Sequence, residues 1–289
     1  MSIFLTLVVL GLTVGSMYAL FAASFGLIFN VTRIFHFAHG AVISAAGYLM
    51  FVLVSRLGWP LWLGVFGAIV AAALLGALIE LVIYRPLRRS NAPHVALFLT
   101  SVGVLTVMEG LIGAIFGPGV VVFRFLPLER VHVGLFDVTT ANVAMLAVWP
   151  LIGLALVYLL WTRSGRFMRA VADTPEVAMN IGIDLDATFL MAFLLGSALT
   201  VPATLVYAWY QGLTPMTGLS TILISSAAVV IGGRGGLLPG AVAALCLGVV
   251  QAIAIVLLPS GWQDAVVFTI LLLVIVLRPR GVFGRVLRW

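Results

Sequence analysis

The chain has 289 residues, of which 63% are hydrophobic and 8% charged, with a formal net charge of +6 and a mean hydropathy of +1.26. A water-soluble domain carries about 25% charged residues, so this composition excludes a soluble globular protein. The basic balance is no nucleic-acid signature either, because the basic residues gather at the ends of apolar runs, where they set orientation in a membrane.

All 15 basic residues are Arg. A phosphate-binding P-loop needs Lys, so the chain holds no such ATP site of its own. The single cysteine, Cys246, rules out an intrachain disulfide and leaves the redox compartment open.

Apolar runs of about twenty residues are long enough to cross a hydrocarbon layer of about 30 Å. They should be helices, since isolated strands leave their backbone unsatisfied in lipid. The alternating short segments of an outer-membrane barrel are absent. Hydropathy and breaker residues place the runs at 3–29, 37–55, 60–84, 94–116, 143–162, 187–211, 219–233, 237–258 and 264–277. The expected fold class is therefore all-α: a polytopic transmembrane helical bundle of eight or nine spans with broken or re-entrant helices. No connection is long enough to separate distinct domains, so residues 1–289 are expected to form a single one. The first run lacks a basic leader and reads as a span more than as a cleaved signal.

After the first run comes "RIFHFAHGAVISAAGYLM" (33–50). His36 and His39 are three apart and would share a helical face. Such spacing can hold a metal, but no Glu follows as in His-Glu-x-x-His, and a packed or hydrogen-bonded pair is the default. The stretch from His36 to Gly40 reads as a broken turn between spans. Ala41, Ser44, Ala45, Ala46 and Gly47 then permit close helix approach, and the new helix start offers amides to a carboxylate.

Further on, Glu80 lies within reach of Arg85 or Arg88 in "YRPLRRSNAPH" (84–94). Glu109 sits inside the fourth run, with Thr100 and Ser101 two to three turns earlier. An intramembrane acid is a functional candidate by default; structural hydrogen bonding and lining of a path both remain open for Glu109. The connection 117–142 mixes Arg124, Arg130, Glu129 and Asp137 without a charge excess.

"TRSGRFMRAVADTPEVAMNIGIDLDA" (162–187) contains the punctuation of a short helix. Asp173 or Thr174 caps it, Pro175 suits its first position, Glu176 its positive end and Gly182 its stop. Two turns are marginal alone in water, so this helix needs a surface. Charge alone leaves open whether that is the headgroup layer or a cytoplasmic partner. "VVIGGRGGLLPGAV" (229–242) breaks around Arg234; a tight turn between spans is favoured over an anion site. "HGAVISAAG" (39–47) and "PGAVAALCLG" (239–248) hint at an internal repeat.

Ten of the 15 Arg lie in three stretches: 84–94, 162–187 and 277–289. The positive-inside rule puts all three in the cytoplasm, which leaves the N-terminus outside and the C-terminus inside. No Ser-His-Asp set, redox Cys pair or phosphate-cradling loop is evident, so the chain is expected not to be an enzyme.

Five blocks then carry a family resemblance. "YALFAASFGLIFNVTRIFHFAHGAVISAAGYL" (18–49), "YRPLR" (84–88), "GRFMRAVADTPEVAMNIGID" (165–184), "GGRGGLLPGA" (232–241) and "RPRGVFG" (278–284) stand in the expected order. Together they resemble the Liv-type permease subunits of branched-chain amino acid ABC importers over nearly the whole chain. The resemblance implies an inner (plasma) membrane subunit of a bacterial cell. It implies a second related permease, two cytoplasmic ATPase subunits and a periplasmic solute-binding protein as partners, beside membrane lipid. ATP is then bound by the partners, and no cofactor by this chain.

The segment 163–186 corresponds to the family's coupling loop. Arg166, Arg169, Ala172, Asp173, Glu176, Ala178 and Gly182 are its expected contacts with the ATPase. His36, His39, Gly40, Thr100 and Glu109 are the expected pathway residues. His36 stands where the family usually has Asn, and an Ala-Gly arrangement replaces Gly-Ala-Tyr. Both departures bear on substrate, since related permeases carry branched-chain amino acids, urea, short amides or aromatic acids. The competing class is a secondary transporter driven by an ion gradient without ATPase subunits, which would need more intramembrane charges than this chain offers.

Overall fold

The computed structural model describes residues 2–125, 127, 129–133, 136–233, 237–259, 262–278 and 281–283. Every apolar run read from the sequence is helical. In chain order these are α1 (Ser2–Thr32), α2 (Ala38–Phe51), α3 (Leu61–Ile79), the short α4 (Arg85–Arg89), α5 (His94–Phe116), α6 (Thr140–Trp161), α7 (Arg163–Asp173), α8 (Pro175–Asn180), α9 (Leu185–Gln211), α10 (Thr217–Gly232), α11 (Leu237–Leu257) and α12 (Gln263–Leu277). A π turn at Val52–Arg56 extends α2, and another at Glu80–Tyr84 joins α3 to α4.

Six helical stretches are long and apolar enough to cross a membrane among the described residues: Leu7–Thr32, Ala38–Arg56, Leu61–Arg89, His94–Phe116, Leu185–Gln211 and Leu237–Leu257. The protein is thus a multi-pass membrane protein, and the apolar α6, with 22 residues, is as long as the shorter of these stretches. Helix α10 has 16 residues. At about 1.5 Å rise per residue it is some 24 Å long, short of a hydrocarbon core of about 30 Å. Helix α12 is shorter still.

The chain forms two compact units, each built from discontinuous segments: residues 1–26, 126–150 and 223–289, and residues 27–125 and 151–222. In the second unit, α3 packs on α9, and α2 packs on α3, α5 and α9. The logic of that packing is visible along α3. Trp62, Phe66, Val70, Leu74 and Leu78 recur every four residues and are exposed, while Gly64, Ala68, Ala72 and Gly76 on the other side are buried. Lipid tails are as apolar as Leu, so large side chains gain little by turning inward; small ones let backbones approach. A Cβ on Gly76 would collide with Ser197 and with the Phe193 carbonyl oxygen of α9. Val121 and Leu213 exchange both backbone hydrogen bonds, at 2.7 and 2.8 Å, in an isolated antiparallel bridge.

In the first unit, α1 and α11 cross closely. A Cβ on Gly11 would lie 2.6 Å from the Val249 Cα, and one on Gly15 would lie 2.7 Å from the Leu245 carbonyl oxygen. Two sequence blocks meet at the end of α10. The amides of Val282 and Phe283 donate to the carbonyls of Ile231 and Gly232, at 2.7 and 3.3 Å. These are last-turn carbonyls that the helix itself leaves unpaired. A short antiparallel pair, β1 (Arg130–Val133) and β2 (Phe136–Thr139), sits in the connection before α6, with Arg130 opposite Thr139.

Candidate functional site

Between α1 and α2 the chain breaks over residues 33–37, and Arg33 adopts φ +59°. Loose backbone groups of the break find partners nearby. The Ile34 amide bonds the Thr32 Oγ1 at 3.3 Å, and the Phe37 amide bonds the Ser101 Oγ at 3.3 Å. Ser101 in turn lies 3.2 Å from the Phe35 carbonyl and 2.8 Å from that of Phe98. The break therefore precedes the position expected from the sequence. Gly40 is helical, and its role is packing: a Cβ there would stand 2.7 Å from the Gly218 carbonyl oxygen and 3.0 Å from the Leu105 Cδ1. The Gly218 amide donates to the Ser44 Oγ at 2.9 Å, so the starts of α2 and α10 are pressed together.

His36 and His39 are brought together, with ring centroids 5.6 Å apart, and both are fully buried. His36 Nδ1 is 2.8 Å from the Tyr84 hydroxyl, and its ring meets Tyr84 and Phe193 edge-on at 5.4 and 4.8 Å. Ser101 also faces the Tyr84 hydroxyl. Burial holds His36 well below the usual imidazole range, and the neighbouring His39 adds to the effect. Its Nε2 is buried and has no hydrogen-bond partner among the described residues. No three His, Cys, Asp or Glu side chains gather around a metal position among the described residues.

Tyr84 is aimed at His36 by the π turn at Glu80–Tyr84, a distortion often found at functional sites. The same turn buries Glu80 against Arg88, which is also 3.4 Å from Asp186. Asp186 accepts from Arg85 at 2.9 Å and from Arg89 at 3.0 Å. The "YRPLR" block thus clamps the first turn of α9, where a carboxylate also complements the helix dipole. Of the two partners open to Glu80 in the sequence, the fold selects Arg88. Neither Tyr84 nor Asp186 stands out in the sequence, apart from heading a block and lying in a helix first turn.

Glu109 and Thr100 lie elsewhere on α5. Glu109 is half-buried; the Leu219 backbone, in the first turn of α10, bonds its carboxylate, and its Oε1 has no hydrogen-bond partner among the described residues. Gly40 and Glu109 therefore both face the start of α10. Thr100 is half-buried and donates to the Ala96 carbonyl of its own helix at 2.8 Å.

The segment 163–186 folds as two helices joined at Thr174, which ends α7 and begins α8. Thr162 caps α7 by accepting from the Gly165 amide at 3.3 Å. Pro175 opens α8, and Gly182 follows it with φ +86°, in the left-handed region that favours glycine. Gly165, Met168 and Val171 form the buried side of α7, while Arg166, Arg169, Asp173, Glu176 and Gly182 are exposed. Two expected contact residues are placed differently. Ala178 is 1% exposed and packs against its own chain, and Ala172 is half-buried. The apolar side chains that α8 and its end present outward are Val177, Met179 and Ile181. The Ala172 carbonyl receives the Arg33 Nη2 at 2.6 Å, across 139 residues of sequence. Arg234, at the centre of the broken stretch 229–242, lies outside the described residues.

A family model described as "Branched-chain amino acid transport system / permease component" matches residues 7–276. The permease protein LivH of the high-affinity branched-chain amino acid transport system of Escherichia coli K12 is 29% identical, covering 95% of this chain and 94% of the relative. BraD of Pseudomonas aeruginosa, named as a permease protein of the same kind of system, is 31% identical over 95% and 94%. The probable LivH permease of Methanocaldococcus jannaschii is 25% identical over 93% and 89%. Among solved structures, PsaBC from Streptococcus pneumoniae in complex with Fab aligns with a TM-score of 0.51 at 15% identity, over 92% of this chain and 89% of that one. That likeness concerns the fold.

Proposed function

We propose that this chain, which belongs to the branched-chain amino acid transport permease family, is the membrane subunit of an ATP-binding cassette importer. The relatives are named transport permeases, not enzymes, and this chain is likewise a transport component. Its cargo is a branched-chain amino acid or a similarly small polar solute. It works in the inner membrane of a bacterial cell, as a single permease domain over residues 1–289. Its N-terminus is outside and its C-terminus inside, with α6 and the shorter α10 and α12 joining the six long apolar stretches to reach eight or nine crossings. A second related permease, two cytoplasmic ATPase subunits and a periplasmic binding protein complete the transporter. The ATPases bind the ATP, and this chain needs no cofactor.

One observation carries the ATPase coupling: Val177, Met179 and Ile181 are exposed on the short α8 and at its end, and Arg166 and Arg169 are exposed on the preceding α7. A helix that short gains its stability from what it touches, and a protein groove covers apolar side chains better than water does. Asp173, Glu176 and Gly182 rim this docking face, while Ala172 and Ala178 support it from behind. The solute path borders the start of α10. The half-buried Glu109 carboxylate lines it, Gly40 packs α2 against α10 beside it, Thr100 lies along the same α5, and His36 and His39 form the wall behind. The orphaned His36 Nε2 supports that role, since leaving a buried polar atom unpaired costs about 1–3 kcal/mol without a use for it.

The test is uptake into vesicles containing this chain with its partner subunits, over a panel of amino acids, amides and urea. ATP-dependent uptake of a branched-chain amino acid is expected. Uptake driven by an ion gradient without any ATPase subunit would overturn the reading. Reporter fusions at Asn91 and Asp173 should both report cytoplasm, and one at Glu129 the outside.

A further inference from the structure

Arg33 is an odd residue for its place. Its backbone sits at φ +59°, a region that glycine or asparagine enters readily and a bulky side chain seldom does. What an arginine offers there is its guanidinium. Arg33 is half-buried, and its Nη2 donates to the Ala172 carbonyl at 2.6 Å. Ala172 is one residue from the end of α7, where carbonyls lack partners within the helix and the dipole favours a cation. Thr174, which joins α7 to α8, follows two residues later.

On its other side Arg33 opens the break that carries His36. That break is fastened at three points: Phe37 to Ser101 of α5, and His36 to Tyr84 of the π turn after α3 and to Phe193 of α9. One side chain therefore connects the exposed α7–α8 segment to the point where α1 gives way to α2. These contacts tie the break to the membrane bundle.

We propose that Arg33 is a positioning residue for transport: its bond to the end of α7 transmits movement of the α7–α8 segment to the α1–α2 break and the His36 cluster. The inference rests on the reading of α8 as the ATPase docking element. An arginine at this joint suits transmission because a bidentate-capable, permanently charged group holds a carbonyl through a displacement that a neutral contact would release.

The experiment uses the full chain, co-expressed with its ATPase subunits and binding protein. Arg33→Gly removes the guanidinium while leaving a residue at ease with the positive φ. Arg33→Asn does the same with a polar side chain too short to reach, and Arg33→Lys keeps a cation. Three quantities are read for each: ATPase retention on the purified permease, ATP hydrolysis stimulated by the loaded binding protein, and solute taken up per ATP. Arg33→Gly and Arg33→Asn are expected to retain the ATPase and hydrolyse ATP, while uptake per ATP falls about tenfold, within the range of ordinary coupling between sites. Arg33→Lys is expected to recover some of that ratio. Unchanged uptake per ATP in the Gly or Asn variant would overturn the proposal. So would failure of both to accumulate in the membrane, which would make Arg33 a folding residue. Absence of ATPase retention in the wild type is a different result: it refutes the docking reading itself.

Discussion

Replacing Gly218 with Ala adds one methyl group at the tightest crossing between α2 and α10. The new Cβ would overlap the Gly40 carbonyl oxygen, lie 2.6 Å from the Gly40 carbonyl carbon and stand 2.7 Å from the Ser44 Oγ. Two of those three atoms are backbone, so relief requires moving a helix. Overpacking of this kind costs about 1–3 kcal/mol. The shift also stretches the Gly218 amide to Ser44 Oγ bond, now 2.9 Å, worth about 0.5–1.5 kcal/mol. Ala is a better helix former than Gly by about 1 kcal/mol, but Gly218 is in the first turn of α10, where little of that gain is realised. The net loss is about 1–4 kcal/mol, which at roughly 2–4 °C per kcal/mol lowers the melting temperature by several degrees. The internal control is Gly103→Ala on α5, where an added Cβ meets nothing within 4 Å. It should leave melting unchanged or raise it slightly through helix propensity. Both proteins are purified in the same detergent and melted by intrinsic fluorescence. A Gly218→Ala protein that melts at or above the wild type would refute the close crossing.

Arg88→Ala leaves the Glu80 carboxylate buried without its partner, and should cost about 3–5 kcal/mol in thermal unfolding; adding Glu80→Gln should recover much of the loss. Gly182→Val forces a β-branched residue into φ +86°, a backbone cost of about 1–2 kcal/mol, and should weaken ATPase retention in pull-down while the protein still inserts. Because an added Cβ at Gly182 meets nothing within 4 Å, Gly182→Asn, which tolerates the left-handed region, should bind nearly normally. Glu109→Gln should reduce uptake without altering melting or assembly; unaltered transport and substrate range would make the carboxylate structural.

Much of the secondary structure was legible because its signals are local. A helix in lipid needs only a long enough apolar run, and its ends are marked by residues whose side chains or backbones act within one turn. Pro175 opening α8 and Gly182 after it are signals of that kind, and the structure places each as the sequence predicts. The Arg-rich connections and the five ordered blocks were equally open to reading, since neither depends on what touches what. Hydropathy registers that a segment is apolar but not its folded length. In α10 the breaks at Thr217 and Gly232 leave a helix too short to cross alone.

Only the tertiary structure decided which face of each helix meets which neighbour. In a soluble helix the polar side betrays the buried one, but in α3 every side is apolar, so the pattern carries no direction. Nothing local therefore says that Gly40 meets Gly218 or that Ala178 turns inward while Val177 and Met179 turn out. Nor does it reveal that His36 is held by Tyr84, 48 residues away. The same holds for Arg33. Near an apolar run it is one more boundary cation, and its bond to Ala172 exists only because folding brings an unpaired carbonyl, 139 residues distant in sequence, within reach of its guanidinium.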